Sequence, residues 1–182
     1  MILKLTESKD ELHQILELQN KNYYKSISHE VKTSEGFVTV KHSLKVLEEM
    51  NCKSKHVIAV DNGKVVAYAL TMLKDYKNLI PILVPMFNTF EHVLYKNSKL
   101  SDLNYYVMGQ ICIAEDYRGK GVFKSLYNKH KETYSDQYNL CVTEVSASNP
   151  RSLRAHEKTG FKIIHTFRDT TDEWNILSWD WE

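Results

Sequence analysis

Three cysteines, three prolines and six glycines are all that the 182 residues contain of these types. Cys52, Cys112 and Cys141 form no CxxC pair, which excludes a zinc ribbon and offers no obvious disulfide framework. Cys112 and Cys141 sit inside apolar runs and read as small buried hydrophobes in a reducing compartment. The eight histidines are scattered with no HxxH or HExxH spacing, so no metal is expected. Formal net charge is only +1, so no global field draws the chain to nucleic acid or to an anionic membrane. Any phosphate must be gripped locally. No apolar run approaches the ~20 residues that span a bilayer. The segment Met1 to Glu7 lacks the charged-then-apolar plan of a signal peptide, and the cytoplasm is the expected location.

Hydrophobic residues make up 42% of the sequence and aromatics 11%, which argues for a packed core. A domain of this size buries about 70% of its unfolded surface without staples. One domain over residues 1–182 is therefore expected.

Ile2 to Leu5 reads as a strand, and Ser8 with Glu11 as a capping box opening a helix to about Asn22. The polar stretch 23–40 resists assignment, although Ser28-His29-Glu30-Val31 is a candidate helical turn. His42 to Met50 has Leu44, Leu47 and Met50 near one helical face. Two β-rich runs, 56–60 and 64–70, flank Asp61-Asn62-Gly63, a strong hairpin signal. Residues 76–104, with Pro81 and Pro85, are too long for a hairpin loop and read as an insertion. The remainder predicts a strand at 106–114, a helix from Gly121 to about Asp136 and a strand at 139–145. A helix over 149–159 and a final strand pair at 161–167 and 174–181 complete it. The order is that of a mixed α/β single domain.

The chemistry concentrates where Ile111-Cys112-Ile113 runs through a polar turn into Arg118-Gly119-Lys120-Gly121-Val122-Phe123. A helix start leaves backbone N–H groups without intrahelical partners and carries a partial positive charge. Gly119 and Gly121 let an anion approach the backbone, while Arg118, Lys120 and Lys124 add fixed charge. Taken alone, the same residues also describe a glycine turn with a solvated basic face. A second segment, Asn149 to Phe161, carries an N-cap Asn, a Pro at the first helical position and the terminator Gly160.

Together the two segments resemble the GNAT superfamily of N-acyltransferases. Arg118, Gly121 and Phe123 stand at its arginine-x-x-glycine-x-glycine/alanine signature. Asn149, Ser152, His156 and Gly160-Phe161 stand at its later pattern, and the strand–helix order agrees over about residues 55–170. The resemblance implies a mostly antiparallel twisted sheet, splayed at a CoA cleft and flanked by helices. It further implies acetyl transfer from acetyl-CoA to a primary amine by direct attack, without a covalent enzyme intermediate. Ile111, Cys112 and Ile113 would offer backbone to the pantetheine arm, Arg118 to Lys124 would wrap the pyrophosphate, and Asn149 and Ser152 would flank the arm. Two departures stand out. Phe123 replaces a small residue, and its place on the apolar stripe lets it point into the core. His156 replaces the tyrosine that protonates the thiolate in many members, and is read either as that acid or as an inert packed ring, with Tyr127 and Tyr138 as alternative acids.

Glu144 is the candidate base; alternation puts it in the cleft or on solvent, with solvent the commoner place. Residues 22–37 and the insertion 76–104 would build the acceptor side, where Tyr24, Phe37 and Phe87, with Tyr106 at the start of the motif strand, suggest a small amine with an apolar body. The alternatives are a protein amine as acceptor, or a non-catalytic acyl-CoA-binding module. The final strands would complete the core or form the edge of a homodimer.

Overall fold

The computed structural model describes residues 1–28, 30, 35 and 37–181. Part of the candidate turn at 28–31, including His29 and Val31, lies outside the described residues. The chain runs β1 (Ile2–Leu5), α1 (Lys9–Lys21), α2 (Leu44–Lys53), β2 (Val57–Asp61) and β3 (Lys64–Met72). Then come α3 (Val84–Phe90), the two-residue strands β4 (Leu94–Tyr95) and β5 (Ser98–Lys99), β6 (Tyr105–Ile113), α4 (Val122–Tyr134), β7 (Leu140–Ser146), α5 (Pro150–Thr159), β8 (Lys162–Arg168) and β9 (Glu173–Asp180). Seven strands form one sheet in the order β1-β2-β3-β6-β7-β9-β8, antiparallel except where β6 meets β7.

Local chemistry accounts for the element ends. Ser8 and Glu11 close the expected capping box on α1. The β2–β3 turn has Asn62 at φ 48° and Gly63 at φ 76°, the left-handed pair that an Asn-Gly hairpin turn requires. Gly160 ends α5 at φ 118°.

Strand β3 shows how period-two alternation divides the core. Tyr68, Leu70 and Met72 face the cluster built with Leu12, Ile15, Leu47 and Met50 of α1 and α2. Ala67 and Ala69 face the other cluster, where Val122, Leu126 and Tyr127 of α4 pack. Small residues on that face let α4 lie close to the sheet. The insertion folds onto the first cluster through Met86, Phe87, Phe90, Val93 and Leu100. It sits at the paired end of β6, with Phe90 6.0 Å from Tyr105, ring to ring, and Tyr95 donating to Asp180 at 3.0 Å.

Two irregularities create a cleft. Strand β6 pairs with β7 only over Tyr105–Val107 against Leu140–Val142. At the next position Thr143 Oγ1 donates to the Met108 carbonyl at 3.0 Å, and beyond it the strands part. On the other edge of β6 the register skips Gly109, since Leu70 faces Gln110 and Thr71 faces Met108. This bulge bends β6 where it leaves β7.

Gly160 offers a test of the packing behind the second cluster. A Cβ there would lie 3.0 Å from Trp179 Nε1, at a φ that L side chains rarely adopt. Gly160→Ala is expected to cost about 1–3 kcal/mol of stability, read as a lower urea midpoint at unchanged slope.

Candidate functional site

The parted strands open a cleft of about 390 Å³ between the end of β6, the start of α4 and the flank of α5. Ile111, Cys112 and Ile113 form one wall, and Arg118, Gly119, Gly121, Val122 and Phe123 form its floor. Asn149, Arg151, Ser152, Arg154, Ala155 and Lys158 form the far wall, with Asn22, Glu35, Phe37 and Val38 across the top. Lys120 and Lys124 are exposed and do not line it.

The floor is formed by a helix start and its glycine turn. Helices α1, α2 and α5 each begin with a side chain accepting from their first turn, from Ser8, Ser43 and Asn149. Helix α4, like the short α3, begins without such a cap, and Gly121, Val122 and Phe123 at its start line the cleft, where its dipole is positive. Gly119 and Gly121 have φ 72° and 78°, and a Cβ on either would touch nothing within 4 Å. Glycine is required there by backbone conformation, not by space.

An internal carboxylate shows what this part of the cleft attracts. Glu35 bridges Arg118 Nη1 at 3.0 Å and Arg151 Nη1 at 3.0 Å. Arg118 also donates from Nε to the Ile113 carbonyl at 3.1 Å and from Nη2 to Asn22 Oδ1 at 2.6 Å. The two arginines beside it hold the Glu35 carboxyl below the usual glutamate range, Arg118 foremost.

A second, smaller cleft of about 80 Å³ continues through the splay. Met108, Gly109, Gln110 and Ile111 line one side and Thr143, Glu144, Val145 and Ser146 the other, with Phe37 to Thr39, Asn149, Ser152, His156 and Trp174 closing it. The segment 37–40 forms the partition. Asn149 Nδ2 donates to the Phe37 carbonyl at 3.2 Å and Gln110 Nε2 to the Val40 carbonyl at 2.9 Å.

Glu144 lies in this cleft, not on open solvent as strand alternation favoured. Its Oε2 is buried and makes no hydrogen bond among the described residues. Burial first, and the charge of Asp169 second, push its pKa up to about 8. His156 is fully enclosed. Its Nδ1 lies 2.8 Å from the Ser152 carbonyl, so that nitrogen carries the proton, and Nε2 accepts from the Tyr127 hydroxyl at 2.7 Å. Burial lowers its pKa to about 4, so at neutral pH the ring is uncharged and both nitrogens are engaged. Phe123 packs edge-on to His156 with ring centroids 5.0 Å apart, which fits the inward position expected of it.

Four acceptor-side expectations need correction. Tyr106 is fully buried beneath α4, with its hydroxyl 3.1 Å from His130 Nδ1, and lines neither cleft. Phe87 is buried against Phe90 in the first core cluster. Among the described residues none of 76–104 lines either cleft, because the insertion packs at the opposite end of β6. Tyr24 meets Tyr23 edge-on and lies tilted against Phe37 without lining either cleft; Phe37 alone of the four lines both. Sequence reading missed Thr39, Gly109, Ser146 and Trp174 in the small cleft and Arg151, Arg154 and Lys158 in the large one. The +3 and +4 steps from Arg151 to Arg154 to Lys158 put the last three on one helix face and carry a signal for them.

The family model described as the acetyltransferase (GNAT) family matches residues 12–161. The chain belongs to this family. A search of the curated proteins finds no match. Among solved structures, smu.2055 of Streptococcus mutans UA159 is similar over 100% of both chains, with TM-score 0.66 and 18% identity. The ribosomal-protein-S18-alanine N-acetyltransferase of Escherichia coli is similar over 98% of this chain and 92% of its own, with TM-score 0.64 and 16% identity. The yncA protein of Salmonella typhimurium, solved with its cofactor acetyl-CoA, covers 100% of this chain and 94% of its own, with TM-score 0.64 and 12% identity. These likenesses carry the fold: a GNAT acetyltransferase domain with a seven-stranded, mostly antiparallel sheet. Among the described residues no group of three or more His, Cys, Asp or Glu could hold a metal ion. No helix among them is long and apolar enough to cross a membrane.

The raised pKa of Glu144 has a thermodynamic consequence. Its folded value of about 8 lies above the ordinary 4.5, so between these values the folded protein keeps a proton the unfolded chain has lost. Stability from this group therefore falls as pH rises through that window. Glu144→Gln should match the wild type near pH 4 and exceed its stability by about 1–3 kcal/mol at pH 8. Denaturant melts at a series of pH values measure the difference, and parallel curves would exclude Glu144 as the shifted group.

Proposed function

We propose that this GNAT domain transfers an acetyl group from acetyl-CoA to a primary amine of a small molecule, by direct attack on the thioester. The single observation that carries the reading is the placement of Glu144. A buried carboxylate with a pKa near 8 lines the passage that leads from an anion-binding helix start through a splayed strand pair.

Each part of the donor has matching chemistry in the large cleft. The uncapped first turn of α4 and the guanidinium of Arg118 suit a pyrophosphate, and the Glu35 carboxylate already held by Arg118 and Arg151 supports that choice. The β7-facing edge of Ile111 to Ile113 has no ladder partner, so its backbone groups suit the amides of a pantetheine arm. Asn149 and Ser152 lie where that arm would pass into the small cleft.

An amine arrives at neutral pH as an ammonium ion. Its positive charge beside Glu144 favours the carboxylate form and brings the pKa down towards neutrality. The ammonium loses one proton to solvent before attack, and Glu144 takes the second, shed by the nitrogen as the C–N bond forms, as a base matched to the working pH. Once protonated it is an acid of suitable strength to return that proton to the departing thiolate, whose pKa is near that of a cysteine, ~8.5. In this reading His156 is a packing ring that orients α5, since its nitrogens are both bonded within the protein. The size of the small cleft, about 80 Å³, favours a narrow amine head over a folded protein surface.

Glu144→Gln is expected to lower acetyl transfer to an amine panel by about 10²–10⁴-fold, with CoA affinity unchanged by calorimetry. Wild-type activity should climb with pH to a plateau that the variant lacks. Retained turnover in Glu144→Gln would remove its role as base, and CoA binding without turnover of any amine would favour a sensing module. Glu35→Gln, which frees both guanidinium groups from a competing carboxylate, should tighten CoA binding several-fold, by about 1 kcal/mol. Weaker binding would instead make Glu35 the residue that orients the two arginines.

A further inference from the structure

The charges of the large cleft do not balance, and the surplus lies on one helix. Four cationic side chains line it, Arg118, Arg151, Arg154 and Lys158, against one carboxylate, Glu35. Four minus one leaves three positive charges in a chain whose formal net charge is only +1. Glu35 is shared between Arg118 and Arg151. Arg154 and Lys158 form no ion pair among the described residues.

Helical spacing explains where these two stand. Positions 151, 154, 155 and 158 fall along one flank of α5, which faces the start of α4. The ring of Phe123 in the first turn of α4 packs 5.0 Å from His156, fixing the two helices side by side. Ala155 contributes only a methyl group between Arg154 and Lys158. Both cations are exposed, as expected of groups at the mouth of a cleft rather than its floor.

We propose that Arg154 and Lys158 form a seat for the 3′-phosphate of CoA, and that this chain therefore selects CoA over 3′-dephospho-CoA. The inference rests on the CoA reading above and adds a specificity element to it. A pyrophosphate diester carries two negative charges, which the α4 N-terminus, Arg118 and Arg151 can meet. A phosphate monoester adds about −1.5 to −2 at neutral pH, and two further cations one helical turn apart match that charge. Lys120 and Lys124 do not supply it, since they lie outside the lining.

Calorimetric titration of the full chain with CoA and with 3′-dephospho-CoA tests the seat. The wild type should bind CoA about fivefold to tenfold more tightly at low salt, with the ratio shrinking as ionic strength rises. Arg154→Ala/Lys158→Ala should bind both ligands alike, while its affinity for 3′-dephospho-CoA stays at the wild-type level, which also reports that the fold is intact. Equal binding of the two ligands by the wild type overturns the seat alone, as does discrimination that survives in the double variant. Failure of the wild type to bind either ligand overturns the seat together with the CoA reading.

Discussion

The parting of β6 from β7 is the constraint on which the rest of this structure depends. Two parallel strands bonded along their length would leave no room for a ligand between them. Here three residue pairs hold the strands together, and the Thr143 hydroxyl takes the Met108 carbonyl where the ladder stops. The skipped register at Gly109 turns β6 away at the same level. A side chain thus satisfies a carbonyl that the sheet would otherwise orphan, and the backbone beyond it stays available for recognition.

That opening is tolerable because the sheet is covered on both faces. One cluster holds the face under α1, α2 and the insertion, and the other holds the face under α4. One buried polar network ties the clefts to the core. Gln110 joins Tyr68, Gln19 and the Val40 carbonyl, tying the partition of the two clefts to the core. Burial lowers the pKa of His130 and His156 to about 4, so both remain neutral rings in a wall of aromatic side chains. Rigid walls of this kind let one carboxylate, Glu144, keep an unusual pKa without the site collapsing around it.

The glycine turn and helix starts that line the large cleft were legible because their requirements are local. A positive φ at Gly119 and Gly121, an uncapped helix start and an Asn-Pro helix opening each depend on residues a few positions apart. The acceptor side was not, because period-two alternation assigns a face without saying what covers it. Tyr106 and Glu144 illustrate the two outcomes. Tyr106 is roofed by α4 and lost to the core, whereas Glu144 faces the splay and was placed by alternation alone nearer to solvent. Phe87 and the insertion misled for a related reason: a long aromatic segment looks like a lid in one dimension, yet its docking point at Tyr105 puts it at the wrong end of β6.

Sequence by itself determined the order of strands and helices, the hairpin at Asn62-Gly63, the glycine-flanked start of α4 and membership of the GNAT pattern through Arg118, Gly121, Asn149 and Gly160-Phe161. These follow from backbone preferences and helical or strand periods, which act over short stretches of chain. Tertiary structure alone decided which of the polar candidates meet a cleft and in what protonation state. His156 became a neutral, doubly bonded ring and Glu144 a raised carboxylate because desolvation depends on neighbours far away in sequence. Arg154 and Lys158 came to stand beside the glycine turn at Gly119 and Gly121 by the same route, through the packing of α5 against α4.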